Sequence, residues 1–228
     1  TADWAGNLFL HDRAVAPGRT DPPVILIGSH LDSVVRGGRY DGAYGTIAGL
    51  LIAAANRGRA GLPVVGFVTC EEEDSRFHGG MMGARSLLGR VGDGELDAIA
   101  DRDGVTWRQA LAAARERGCA APPGPAGTAA PPLLRPAYQL ELHIEQGPVL
   151  ERRHFGIGIV ERIAGYRRWI ARIEGESRHS GTTPMAMRRD TLTAAAEMIL
   201  AAERVGREAG EPAVATAGFV HAEPGLFN

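Results

Sequence analysis

The sequence is poor in the features that mark membrane, nucleic-acid-binding and disulfide-stabilised proteins. Its longest apolar stretch, residues 46–55, is far shorter than the roughly 20 residues needed to span a bilayer, and no signal-peptide pattern opens the chain. Acidic and basic side chains are interspersed and the net charge is only -2. The sequence therefore lacks the stripe of basic residues that binds the phosphate backbone of a nucleic acid. Two cysteines, Cys70 and Cys119, do not make a disulfide framework. We therefore expect a cytoplasmic protein without a membrane or nucleic-acid partner.

What the chain does have is the composition of an ordinary globular protein, with 44% hydrophobic and 23% charged residues. Residues 24–28 and 64–69 are short apolar runs rich in β-branched side chains, which is typical of buried parallel strands. Residues 46–56 between them favour a helix, and the order strand, helix, strand predicts an α/β fold with a mainly parallel sheet. A helix at 106–116 and a strand at 138–144 extend this pattern.

The pattern changes in the later part of the chain. Residues 168–173 alternate in the manner of a strand, residues 190–207 favour a long alanine-rich amphipathic helix, and residues 213–220 predict another strand. We therefore predict two domains, residues 1–164 and residues 165–228.

Side chains that can bind metal ions lie at or just after the predicted strand ends. They are His30, Asp41, the acidic run 71–74 and His143. Imidazoles and carboxylates suit zinc, manganese, cobalt or nickel, and a carboxylate such as Asp41 can bridge two ions held about 3.5–4 Å apart. Of two adjacent glutamates, one can bind metal while its neighbour acts as a general base. Asp32 lies on the same side of an extended chain as His30 and can hold the imidazole N–H.

Each of these features has a simpler explanation when it is taken alone. A His-x-Asp pair is common by chance, a run of glutamates is usually a solvated helix start, and His143 can be a strand histidine with ordinary hydrogen bonds. Their joint placement at three predicted strand ends favours a metal-assisted hydrolase instead.

Five longer motifs carry a family resemblance. They are residues 28–33 (GSHLDS), 37–42 (GGRYDG), 72–77 (EEDSRF), 141–148 (ELHIEQGP) and 179–185 (HSGTTPM). These motifs closely resemble those of the allantoate amidohydrolase and N-carbamoyl-L-amino-acid hydrolase family, which is related to the di-zinc aminoacylases and aminopeptidases. The resemblance implies a di-zinc-peptidase-like catalytic domain, with a mainly parallel sheet flanked by helices, and an inserted α+β lid and dimerisation domain.

The resemblance also implies a metal centre with two divalent ions, Zn, Mn, Co or Ni. Its ligands would be His30, Asp41, Glu73 and His143, with Asp41 as the bridge. Glu72 would be the general base, and Asp32 would orient His30. The pair Glu71–Glu72 stays open as an alternative to Glu72–Glu73, because Asp74 stands where the family usually has glycine.

The substrate contacts that the resemblance implies lie largely in the second domain. His179 of the lid would bind substrate and stabilise the oxyanion, and Asn228 and Gln146 would also contact the substrate. Tyr166 replaces a glutamine that is common in the family, so substrate preference is expected to differ. Family members are nearly twice as long and supply a lid arginine and one more metal-binding histidine, so we expect the chain to be a fragment in which both domains are incomplete.

These observations predict a metal-dependent amidohydrolase that cleaves a linear amide or ureido C–N bond of a small carboxylated substrate, allantoate or an N-carbamoyl-L-amino acid. A homodimer through the lid domain is expected. Two alternatives stay open: a peptidase or aminoacylase of the same superfamily, and a truncated, inactive dimerisation or binding module.

Overall fold

The computed structural model describes residues 1–11, 23–119 and 135–226. The chain divides into two compact units between Ile159 and Val160, five residues before the boundary expected from the sequence. No helix among the described residues is both long enough and apolar enough to cross a membrane.

The first unit alternates strands and helices. Its elements are β1 (Leu8–Leu10), β2 (Val24–His30), α1 (Ala43–Ala55), β3 (Val64–Thr69), α2 (Met82–Leu87), α3 (Asp93–Ala98), α4 (Trp107–Glu116), β4 (Pro136–Leu140) and α5 (Val149–Arg152). The helix predicted at 106–116 is therefore confirmed within one residue. Thr106 begins it with a capping box, since its Oγ1 accepts from the Gln109 N–H at 3.3 Å and its own N–H donates to Gln109 Oε1 at 2.8 Å.

Within the described residues, a four-stranded sheet has the order β1-β3-β2-β4. Strand β2 pairs in parallel with both β3 and β4, while β1 runs antiparallel to β3. The predicted α/β class with a mainly parallel sheet is thus confirmed. Since β2, β3 and β4 point the same way, their carboxyl ends lie at one edge of the sheet, where open α/β sheets bind ligands.

Two apolar clusters stabilise this unit. One lies on the sheet and contains Phe9, Val24, Val65 and Phe67. The other joins the N-terminal segment to α2, α3 and α4 through Trp4, Ala5, Phe77, Met82, Val91, Leu96, Trp107 and Leu111. Helix α1 approaches the sheet closely, because a side chain at Gly49 would collide with the backbone of Gly28.

The second unit contains a 3₁₀ helix at Met185–Met187 and the long helix α6 (Thr191–Ala209). Asp190 caps α6, with its Oδ1 accepting from the Leu192 N–H at 2.9 Å. The strands predicted at 168–173 and 213–220 are wrong in this structure, where both segments are without strand pairing. A strand needs a neighbouring backbone to pair with, and alternation in the sequence cannot supply that neighbour.

Candidate metal centre

The metal-binding side chains predicted from the sequence lie on the segments that follow the parallel strands. His30 is the last residue of β2, and the acidic run 71–74 follows β3 after the single residue Cys70. His143 follows β4, which ends at Leu140 rather than at the predicted residue 144. Asp41 lies in the loop before α1. The edge of the sheet therefore carries all of them.

Glycine is required where α1 begins. Gly42, which precedes the helix, has a φ of 63°, a backbone conformation that residues with a side chain adopt with strain. A Cβ at this position would also collide with the His30 ring. The absence of a side chain at Gly42 allows the Asp41 loop to lie directly against His30.

His30, His143 and Asp41 form one group of ligand atoms in the centre. The two Nε2 atoms lie 3.4 Å apart, and Asp41 Oδ1 lies 3.9 Å from the Nε2 of His30 and 3.3 Å from that of His143. His30 and Asp41 are only 2% and 7% exposed. Although Asp41 Oδ1 is buried, it has no hydrogen-bond partner, which is costly for a polar atom unless a ligand or water satisfies it.

The other ring nitrogen of each histidine faces a main-chain carbonyl. His30 Nδ1 lies 2.8 Å from the Asp32 carbonyl oxygen, and His143 Nδ1 lies 2.8 Å from the carbonyl of Ile144. A carbonyl can only accept, so Nδ1 is the donor in both rings, and the Nε2 of each neutral ring presents a lone pair to Asp41. These two lone pairs and the unpartnered Asp41 Oδ1 repel one another, because they lie only 3.3 to 3.9 Å apart. A bound cation would remove this repulsion.

The expected role of Asp32 is divided between its backbone and its side chain. Its carboxylate Oδ1 lies 3.9 Å from His30 Nδ1, too far for a hydrogen bond, so the main-chain carbonyl orients the ring instead. The Asp32 side chain accepts the Glu73 N–H at 2.9 Å through Oδ2. Asp32 therefore links the β2 loop to the acidic turn after β3.

The acidic side chains after β3 point in two different directions. Glu72 and Glu73 form a second group of ligand atoms with His30, with Glu72 Oε2 at 3.8 Å from His30 Nε2. Glu73 Oε1 is a further buried oxygen without a partner. Glu71 turns away and accepts the Phe77 N–H at 3.1 Å. The structure thus brings Glu72 and Glu73, rather than Glu71, to the centre.

Burial sets the protonation of these glutamates. It raises the pKa of Glu72 above the ordinary value, and the neighbouring His30 partly opposes the rise. It also raises the pKa of Glu73, and Asp41 adds to the rise in two ways, by a side-chain hydrogen bond that favours the protonated carboxyl and by the repulsion of like charges. A bound cation would favour the ionised form of both carboxylates.

Sequence reasoning missed several supporting contacts. Gln146, which was expected to contact the substrate, donates from Nε2 to Asp41 Oδ2 at 2.6 Å. Glu145 caps α5 by accepting the N–H groups of Val149 and Leu150 at 3.0 and 2.8 Å. Thr46 of α1 donates to the His30 carbonyl at 2.8 Å. Glu145 lies outside the N-cap position that the usual capping preference describes, and the partners of Gln146 and Thr46 depend on tertiary structure.

His179 lies in the second unit, at the start of the motif 179–185. Its Nδ1 accepts the backbone N–H groups of Gly181 and Thr182 at 3.1 and 3.3 Å. An Nδ1 that accepts leaves the proton on Nε2, so the outer edge of the ring is a hydrogen-bond donor. Asn228, the other expected lid contact, lies outside the described residues.

The fold and these ligand groups define an α/β protein with a candidate centre for divalent metal ions at the carboxyl edge of its sheet. The donor set fits such ions, because it combines imidazole lone pairs with buried carboxylate oxygens that nothing else satisfies. The chain belongs to the peptidase family M20/M25/M40, whose model matches residues 26–227. Enzymes of this family are metal-dependent.

The curated proteins similar to this chain include amidohydrolases of two kinds. The N-carbamoyl-L-amino-acid amidohydrolase of Paenarthrobacter aurescens is 40% identical over 214 residues, covering 92% of this chain and 51% of that protein. The allantoate amidohydrolase of Escherichia coli K12 is 35% identical over 238 residues, covering 99% of this chain and 53% of that protein. The resemblance predicted from the motifs is confirmed, and the chain spans about half the length of the curated relatives it matches.

Solved structures of amidases are also similar to this chain. A hydantoinase/carbamoylase family amidase from Burkholderia ambifaria is similar with a TM-score of 0.64 and 31% identity, covering 92% of this chain and 50% of that chain. An amidase of the same family from Burkholderia multivorans gives a TM-score of 0.70 at 26% identity, covering 100% of this chain and 53% of that chain.

Proposed function

We propose that the protein carrying this chain is a metal-dependent amidohydrolase that cleaves a linear amide or ureido C–N bond of a small carboxylated substrate. Allantoate and N-carbamoyl-L-amino acids are the proposed substrate classes, because similar proteins bear those names. The observation that carries the proposal is the buried Asp41 oxygen without a partner, which faces the Nε2 atoms of His30 and His143.

Two divalent ions are proposed, with Asp41 shared between them. The two ligand groups, His30–Asp41–His143 and His30–Glu72–Glu73, lie side by side. His30 Nε2 has a single lone pair and can bind one ion, so the second ion would be held by Asp41 and a glutamate. Of the second group we assign Glu73 as the ligand, since its buried Oε1 lacks any partner. When bound, such ions lower the pKa of a water molecule and polarise a carbonyl oxygen.

Glu72 is the proposed general base. Its Oε2 would accept the proton of the attacking water and return it to the leaving nitrogen. His179 is proposed to stabilise the oxyanion, and its donor Nε2–H, set by the Gly181 and Thr182 amides, has the required polarity.

A homodimer through the second unit is part of the proposal. Helix α6 and its neighbours expose several large apolar side chains that a partner would cover: Leu192, Met198, Leu200 and Val205. Light scattering of the full-length gene product should give twice the protomer mass. A monomer at micromolar concentration would contradict this part alone.

The test of the reaction is ammonia release by the full-length gene product loaded with Mn²⁺ or Zn²⁺. The substrates are allantoate, N-carbamoyl-L-amino acids, β-ureidopropionate, dipeptides and N-acyl amino acids. We expect turnover of one ureido substrate that is lost in Glu72→Gln, with the Glu71→Gln variant as the matched control that keeps activity.

The panel also separates the alternatives. Hydrolysis of dipeptides or N-acyl amino acids without any release of ammonia from ureido compounds would replace the proposal by a peptidase or aminoacylase. A protein that binds no metal and hydrolyses nothing would be a binding or dimerisation module.

A further inference from the structure

A buried polar network joins the N-terminal segment to the acidic turn. Its members Asp3, Asn7 and Ser86 are 3%, 1% and 0% exposed. Asp3 Oδ1 accepts the N–H groups of Ala5 and Asn7 at 3.0 and 2.8 Å, and its Oδ2 accepts the Asn7 amide at 2.7 Å. Burying a carboxylate is costly unless its oxygens are hydrogen-bonded, and here both of them are.

These contacts determine which way the Asn7 side chain points. Its NH₂ group faces Asp3 and also donates to the Gly83 carbonyl at 3.1 Å and to Ser86 Oγ at 3.2 Å. The side-chain oxygen must therefore face the opposite way, and it accepts the Cys70 N–H at 3.0 Å. An apolar residue at position 7 would leave that N–H and the Asp3 oxygen unsatisfied.

Cys70 is the residue that leads from β3 into the acidic turn. Its carbonyl accepts the Gly83 N–H at 2.8 Å, so both of its backbone groups are held. Its thiol has no acid–base role at neutral pH, because burial raises its pKa to about 12. The Glu73 N–H is held in turn by Asp32. The backbone that carries Glu72 is thus fixed on both sides, by Asn7 before it and by Asp32 after it.

We propose that Asn7, oriented by Asp3, is a positioning residue that sets where Glu72 and Glu73 lie relative to His30. The inference rests on the proposed function of those glutamates. It extends the metal centre to Asp3 and Asn7, whose contacts hold the turn at Cys70. Loss of a partner that hydrogen-bonds a metal ligand typically lowers metal affinity about 10- to 100-fold, and Asn7 acts on Glu72 and Glu73 through the backbone of Cys70.

The test uses the full-length gene product with Co²⁺ as the probe. Asp3→Asn places two amide NH₂ groups against each other, and Asn7→Asp places two carboxylates against each other. Each single variant should lower Co²⁺ affinity by about 10- to 100-fold, change the visible absorption spectrum of bound Co²⁺, and lower kcat more than it changes KM. The double variant restores a donor opposite an acceptor between positions 3 and 7 but leaves the Gly83 carbonyl without its donor, so it should recover part of the affinity that the single variants lose.

Controls separate positioning from stability. Val91→Ala removes apolar contacts in the neighbouring core without touching Cys70, so it should lower Tm and leave the Co²⁺ spectrum unchanged. Ser86→Ala removes one acceptor of the Asn7 amide and should give a smaller change in the same direction, which keeps the test decisive if Asn7→Asp does not fold.

Single variants that lose stability as Val91→Ala does, yet keep wild-type Co²⁺ affinity and spectrum, would overturn this inference and leave the proposed function standing. A wild-type protein that binds no Co²⁺ would overturn the proposed function and this inference with it.

Discussion

At the residue scale, the centre depends on which atom each side chain leaves unsatisfied. His30 and His143 use Nδ1 on main-chain carbonyls and direct Nε2 inward. Asp41 Oδ2 accepts a hydrogen bond from Gln146, whereas Asp41 Oδ1 has no hydrogen-bond partner and faces both rings. Each ligand is thus held through one atom while the other stays free to bind a cation, which is how outer contacts orient metal ligands.

Asp41→Asn should abolish tight metal binding. The substitution keeps the shape of the side chain but removes the negative charge that both imidazoles face. We expect the affinity to fall by more than the roughly 10- to 100-fold that loss of an outer partner costs, measured as metal content after dialysis against a chelator. Asp74→Asn is the control, since Asp74 belongs to the acidic turn after β3 but accepts the Gly80 N–H and joins neither ligand group. Equal metal content in both variants would refute the assignment of Asp41.

The tautomer of His179 can be measured directly. Because Nδ1 accepts two backbone N–H groups, the neutral ring should carry its proton on Nε2. A two-dimensional ¹⁵N–¹H NMR spectrum that correlates ring nitrogens with ring protons should show a protonated Nε2 and a bare Nδ1. The opposite pattern would mean that His179 cannot donate to an oxyanion in the way proposed.

At the element scale, the turn after β3 is held by its own acidic side chains. Glu71 Oε2 accepts the Phe77 N–H, and Asp74 Oδ1 accepts the Gly80 N–H at 2.6 Å. Phe77, only 2% exposed, anchors the segment in the core beside Trp107. The first and fourth acidic residues therefore shape the turn, and the middle two face His30.

The pKa of Glu71 predicts a dependence of stability on pH. Burial raises this pKa above 4.5 in the folded protein, so between 4.5 and the raised value the folded state binds more protons than the unfolded state. The unfolding free energy should therefore fall as pH rises through that window. Glu71→Gln keeps an oxygen to accept the Phe77 N–H but does not titrate.

We expect the stability of Glu71→Gln relative to the wild type to rise across the same window, in urea unfolding of the metal-free protein. A constant difference between pH 4 and pH 8, or one that falls, would contradict the raised pKa.

At the scale of the whole molecule, metal binding and folding should be coupled. The ligands come from segments after three strands, and an unfolded chain cannot hold them together. An ion that binds only the folded state stabilises it by about 2.7 kcal/mol at a concentration 100 times its Kd.

Tm should therefore rise with Mn²⁺ or Zn²⁺ concentration in the wild type and stay constant in Asp41→Asn. His179→Ala should retain the rise, because His179 joins neither ligand group. A rise of equal size in all three proteins would indicate binding elsewhere.

The linear pattern of the chain was enough to predict β2, α1, β3, α4 and the α/β class, because apolar periodicity and caps are local properties that tertiary contacts reinforce here. It also singled out His30, Asp41, the glutamate run and His143 as candidate ligands, since these residue types lie at or after the predicted strand ends. It was wrong about two strands in the second unit, because pairing requires a partner backbone that periodicity does not encode.

Only the tertiary structure decided how those side chains meet. His30 and His143 lie 113 positions apart, and no local signal states that their Nε2 atoms converge on one carboxylate oxygen. The same holds for the choice of Glu72 and Glu73 over Glu71, for the Asp32 carbonyl as the group that orients His30, and for the contact of Asn7 with Cys70. Local chemistry selects which residues can bind a metal ion, whereas burial and strand pairing determine which of their atoms are left without a partner.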